Sequence, residues 1–233
     1  MRRWSEHEVC FALAALFLFS SSAFGQNYSP EFPRDGAEKV LDSHSVLAWK
    51  TTFKKGDSTG LRELTMDQVS VALEDGAVKF TRPDGTWSIE PEKMGSVRFD
   101  SKGTVIGEEG AGDQPIHFVI FQLKDDAPHP TPTVKDIPGM FPRPEATILL
   151  ETDRIIVWDQ AWVLGDPGVF HLHYRHGAGV FLAGGKFQTI TNGKKEPPHD
   201  RQPGFVLDIM QLPEPHEYEA VEGAPRAVFV EFK

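Results

Sequence analysis

The feature that most constrains this chain is that it repeats itself. "FPRDGAEKVLDSHSVLAWKTTFKKGD", from Phe32, lies beside "FPRPEATILLETDRIIVWDQAWVLGD", from Phe141. Phe-Pro-Arg recurs, Trp49 recurs as Trp158, and Gly56-Asp57 recurs as Gly165-Asp166. The register continues without a gap. Leu73 falls on Leu182, Gly76 on Gly185, Gly95 on Gly204, Val97 on Val206, Val119 on Val228 and Lys124 on Lys233. A run of matches in one register means two copies of one structural unit. The expected organisation is a first unit over 32–124, a Pro-rich linker "DDAPHPTPTVKDIPGM" over 125–140, and a second unit over 141–233.

Each copy reads as β structure. "SVLAWKTTF", "RIIVWDQAW", "PIHFVIFQLK" and "RAVFVEFK" are rich in β-branched and aromatic residues, which suit a pleated, half-buried surface. "RPDGTW" and "TNGKK" carry the Asp-Gly and Asn-Gly pairs of tight hairpins. No long helical period appears beyond the first residues. Many short strands between regular turns predict an all-β fold of two sandwiches or barrels in tandem. With 39 % hydrophobic residues, the chain has enough apolar side chains for sizeable cores without staples.

The N-terminus reads differently. Arg2 and Arg3 precede the apolar run "VCFALAALFLF", and "SSSAFG" follows with Ala23 and Gly25 spaced as at a small-residue cleavage site. This is the layout of a secretory signal peptide over 1–25. An uncleaved N-terminal anchor is the alternative. The expectation is an exported protein, periplasmic or extracellular, without a stable membrane anchor. Cys10, the only cysteine, lies in that leader, so the remainder has neither disulfide nor thiolate ligand. The net charge of −10 argues against a nucleic-acid partner, because phosphate binding needs a basic face.

"HLHYRH", His171 to His176, is the densest cluster of candidate ligands. On a strand, side chains alternate, so His171 and His173 share a face. His176 falls on the opposite face unless a bulge at Gly177-Ala178-Gly179 turns it inward. Arg175 shares parity with the two histidines. It is a candidate to pair with a substrate carboxylate, or else it faces solvent.

Here the sequence resembles the cupin superfamily, in a two-domain form. The cupin first motif runs G-x5-H-x-H-x(3,4)-E-x6-G. The second copy offers Gly165, His171, His173, then Gly177 at the glutamate position and Gly184 at the last glycine. The second motif is looser. Gly204 leads to His216 with one extra residue, and Ala220 replaces its asparagine. In the first copy Arg62, Leu64 and Ile106 stand where histidines would be.

The resemblance implies two jelly-roll barrels, with metal ligands lost from the first and His171, His173 and His216 as the metal set of the second, His176 being an optional fourth. It further implies one divalent transition metal, iron favoured, with manganese, zinc, nickel or copper as alternatives; neutral imidazoles suit zinc, copper, iron and nickel, so ligand type does not fix the element. A small organic acid would be the ligand, and dioxygenase-type oxidoreductase chemistry the favoured activity. A non-catalytic small-molecule or metal binder, or a structural protein with a vestigial site, remains the alternative.

Overall fold

The computed structural model describes residues 27–233. The predicted leader over 1–25 lies outside the described residues. Among those described there is no helix, hence none long and apolar enough to cross a membrane. The structure is two β barrels in tandem.

The first barrel closes two five-stranded sheets on one another. One sheet is ordered Ala37–Asp42, Val46–Phe53, Ile116–Leu123, Asp67–Ala72, Val97–Asp100. The other is ordered Ser29–Pro30, Arg62–Glu63, Val105–Gly110, Gly76–Thr81, Trp87–Glu92. The second barrel is a single eight-stranded sheet. Two long strands, Gly177–Thr191 and Leu212–Phe232, cross from one wall to the other and carry the rest.

This departs from the expectation of short strands throughout. In the second copy, glycines bend a strand instead of ending it. Gly177–Thr191 shifts register against Leu212–Phe232 at Phe181/Ala183, Ala183/Gly185 and Lys186/Phe187. A Cβ at Gly185 would lie 2.5 Å from the Glu222 carbonyl oxygen. Only glycine permits that close approach at the bend.

The two hairpin signals act as read. Asp84-Gly85 joins Gly76–Thr81 to Trp87–Glu92, and Asn192-Gly193 joins Gly177–Thr191 to Lys194–Lys195. Asn192, Gly193 and Gly85 all have positive φ, as such turns require of some of their residues.

Alternation explains why some strands are apolar on both faces. In Val46–Phe53, Trp49 and Phe53 point into the first barrel. Val46 and Ala48 point outward into a layer shared with the second barrel. In Ile116–Leu123, Phe118 and Ile120 face in, while Val119, Phe121 and Leu123 face the shared layer. The second barrel contributes Ile155, Val157, Ala178, Val180, Val228, Val230 and Phe232. The barrels are therefore joined by a continuous core rather than a wet seam. Leu123→Ala, which empties part of this layer, should cost about 3 kcal/mol of stability in urea unfolding. A cost below about 1 kcal/mol would mean that the layer does not close the molecule.

The repeat also holds in three dimensions. Phe32 stacks on Trp49 at 4.7 Å, and Phe141 stacks on Trp158 at 4.9 Å. Arg62 lies opposite Ile106 in the first barrel, and His171 lies opposite His216 in the second.

Candidate metal centre

His171 and His173 sit on the short strand His171–His173, whose partner is Leu212–Phe232. That pairing sets His171 directly against His216. The register shifts before His173 reaches Leu212. A second support holds the histidine strand from its other side. The Leu172 amide donates to the Pro138 carbonyl at 3.0 Å, and the Thr131 amide to the Tyr174 carbonyl at 2.8 Å. The Tyr174 hydroxyl donates to the Ile137 carbonyl at 3.0 Å. The Pro-rich segment is thus fastened along the strand that carries the site.

The three imidazoles are all buried, His171 completely. Their ring centroids lie 4.7 to 5.3 Å apart, and their ligand atoms all fall within 4.8 Å of one another. Each Nδ1 meets a backbone carbonyl: His171 that of Val169 at 2.6 Å, His173 that of Met210 at 3.2 Å, His216 that of Glu214 at 3.1 Å. A carbonyl only accepts, so each Nδ1 carries the proton and each Nε2 is left with its lone pair. All three Nε2 atoms are buried and, among the described residues, without a hydrogen-bond partner.

The electrostatics agree. Burial, with the Arg143 guanidinium next in weight, pushes His171 down to about 3. Burial and then His216 push His173 down to about 4. Burial also lowers His216. Neutral imidazoles with converging lone pairs are the donor set that a divalent transition metal takes. Carbonyl-held Nδ1 protons are the usual means of fixing such ligands in orientation. A metal fits these residues, and three orphaned buried nitrogens are hard to account for otherwise.

Among the described residues the cluster comprises those three histidines; His176 and Arg175 are not part of it. Alternation stops at His173, where the strand ends. Arg175 donates instead to the buried Glu231 carboxylate at 3.0 Å. Sequence reading missed Arg143 and Tyr218, which flank the histidines. The Tyr218 ring lies 4.8 Å from that of His216. The recurrence of Phe-Pro-Arg was the available signal for Arg143.

In the first barrel Arg62, Leu64 and Ile106 occupy the equivalent places. Leu64 is buried, and the Arg62 guanidinium donates to the Thr59 and Pro30 carbonyls.

No protein-family model and no curated protein matches the chain. Solved structures do. A two-barrel architecture with three inward histidines in one barrel defines the class: the fold is the cupin fold, all β, in its two-barrel form. The chain is similar to a cupin 2 conserved barrel domain protein from Leptotrichia buccalis at TM-score 0.52 and 11 % identity, covering 84 % of this chain and 88 % of that one. It is similar to the oxalate decarboxylase of Lactobacillus farciminis, solved as a formate complex, at TM-score 0.57 and 14 % identity, covering 86 % and 82 %. A variant of the salicylate 1,2-dioxygenase from Pseudoaminobacter salicylatoxidans follows at TM-score 0.53 and 11 % identity, covering 81 % and 72 %.

Proposed function

We propose that this chain is an exported, metal-dependent cupin whose second barrel holds one divalent transition metal on His171, His173 and His216 and acts on a small organic anion. The observation that carries the reading is the convergence of three buried, unpartnered Nε2 atoms. The first barrel serves as a packing partner without ligands of its own. Enzymes named as an oxalate decarboxylase and a salicylate dioxygenase share the fold, which supports dioxygenase-type chemistry on an organic acid as the favoured activity.

When bound, the metal would supply a Lewis acid and, if iron, a redox centre for dioxygen. The chain's own residues do the rest. The carbonyls of Val169, Met210 and Glu214 hold the imidazoles in one tautomer. Met140, Trp162, Phe181, Phe187 and Phe229 form most of the wall of a cavity of about 80 Å³ beside His173 and Tyr218, with Thr189, His199 and Arg201 also on its lining; the apolar part would exclude water from an apolar substrate body. With no carboxylate in the cluster, a bound dication keeps its full charge and favours an anionic ligand.

The test is elemental analysis of the protein purified without chelator or histidine tag. About one equivalent of a transition metal is expected, and its identity selects between oxygenation and non-redox chemistry. No metal as purified, and none after soaking, would overturn the reading in favour of a non-catalytic barrel.

A further inference from the structure

An arginine stands at the same place in both barrels, and among the described residues only one of the two meets an acid. Arg34 follows Phe32-Pro33, and its guanidinium carbon lies 4.8 Å from the Phe32 ring and 5.2 Å from that of Phe53. Arg143 follows Phe141-Pro142, and its carbon lies 5.3 Å from Phe141 and 6.0 Å from Trp162, the residue at Phe53's place.

In the first barrel the charge is answered. Arg34 donates to the Glu108 carboxylate at 3.2 Å and to the Thr51 hydroxyl at 3.1 Å, with the Glu31 carboxyl 3.6 Å away. In the second barrel every one of these partners is different. The paired registers that set Ile106 against Arg62 and His216 against His171 make Tyr218 the counterpart of Glu108. They are confirmed by Phe80 facing Glu108 where Thr189 faces Tyr218. Met140 replaces Glu31. Gln160 replaces Thr51, and its amide nitrogen turns to the Ala161 carbonyl instead.

Arg143 is left with Nε and one terminal nitrogen, Nη2, buried and without a partner among the described residues. Glu145 and Asp166 line the same cavity of about 250 Å³, but both are exposed and neither forms an ion pair with the guanidinium. That cavity is bounded also by Gln160, Trp162 and Val169, the last being the residue whose carbonyl holds His171. Trp162 walls the apolar cavity beside His173 as well. A guanidinium desolvated without its hydrogen bonds is costly unless a ligand supplies them, and its two free N–H directions match a carboxylate.

We propose that Arg143 binds the carboxylate of the anion taken by the histidine site, and that this anion is a small monocarboxylate with an apolar body. The apolar body follows from the Met140, Trp162, Phe181, Phe187 and Phe229 lining, which outweighs Thr189, His199 and Arg201 on the same wall; Arg201 lies over the Phe205 ring and donates to the Asp200 carbonyl. The inference deepens the reading of the histidines as a metal site and locates its substrate. The arginine–carboxylate pairing itself does not need the metal.

The experiment is calorimetric titration of isobutyrate, and of its uncharged counterpart isobutyramide, into metal-free and metal-loaded protein. Isobutyrate should bind both forms, at least about tenfold more tightly than the amide. Arg143→Gln should weaken isobutyrate at least about tenfold and leave the amide unchanged. Arg143→Lys, which keeps the charge without the fork, should fall between. The same Arg143→Gln protein should hold its metal no more weakly than the parent, because a neighbouring positive charge has been removed.

Equal isobutyrate affinity in parent and Arg143→Gln proteins would overturn the inference, as would a parent protein that does not distinguish acid from amide. Should Arg143→Gln fail to fold, Arg143→Lys decides in the same way. A parent protein that takes up no metal defeats the metal reading, while the metal-free titration still judges Arg143.

Discussion

His173→Ala, purified as the parent is, should carry less than about a tenth of an equivalent of metal and should still be folded. A set of structural ligands at a zinc site is worth roughly 10–16 kcal/mol in all. One imidazole of such a set therefore accounts for about 3–4 kcal/mol, or roughly a 10²–10³-fold loss of affinity. The effect on the metal-free fold should be small. The substitution removes the Nδ1 bond to the Met210 carbonyl, worth about 1 kcal/mol. It also removes a buried Nε2 that has no partner, whose desolvation is a cost of similar size. Urea unfolding of the two metal-free proteins should thus agree within about 1 kcal/mol, while their metal contents differ. A His173→Ala protein with a full equivalent would place the metal elsewhere. One that unfolds would make the metal a structural staple, contrary to three apolar layers that close the molecule without it.

The fold was legible because its signals are local and repeated. Alternation in Val46–Phe53 and Ile116–Leu123, the Phe-Pro-Arg and Trp landmarks and two glycine turns suffice for paired β barrels. The histidine pair was legible for the same reason, since two residues apart on a strand means one face. The position of His216 needed more. One extra residue separates its copy from the motif spacing, so only the strand pairing that sets His216 directly against His171 shows that it joins the pair.

Arg175 shows where parity fails. The strand ends at His173, Tyr174 turns to the Pro-rich segment, and the arginine finds Glu231. Arg143 shows a different limit. Its type and place were visible in the repeat, but its lack of a partner depends on Met140 and Tyr218, which lie far from it or opposite in character. Only register across the sheet brings those replacements together. The two long strands were hidden because a glycine that bends a strand and one that ends it look alike in sequence.

The second large effect should appear in the first barrel, as a loss of stability with rising pH that Glu31→Gln abolishes. Arg34 and Arg98 there face three acids, Glu31, Asp100 and Glu108. Glu108 receives both guanidinia, Arg34 at 3.2 Å and Arg98 at 3.1 Å, and Asp100 takes Arg98 at 2.8 Å. Glu31, only 2 % exposed, has no well-formed hydrogen bond to either oxygen among the described residues, and the nearby Gln68 amide opposes its burial only weakly. Its burial, followed by the charge of Glu108, pushes its pKa up to about 8 from an ordinary 4.5. In the unfolded chain Glu31 ionises near 4.5, and in the folded chain it holds its proton to about 8. A raised folded-state pKa means that its contribution is fully present below pH 4.5 and is lost as pH rises towards 8. At about 1.4 kcal/mol per unit, the loss is roughly 3–5 kcal/mol for this one carboxyl. Glutamine cannot ionise and keeps nearly the same shape. The difference between the proteins therefore reports Glu31 together with its coupling to Glu108 and Asp100. Urea unfolding at pH 5 and pH 9 should show the parent losing roughly 3–5 kcal/mol more than Glu31→Gln between those values. Parallel losses in the two proteins would mean that Glu31 is ionised in the fold, held by Arg34 across 3.6 Å, and that the barrel stores an ion pair rather than a neutral acid.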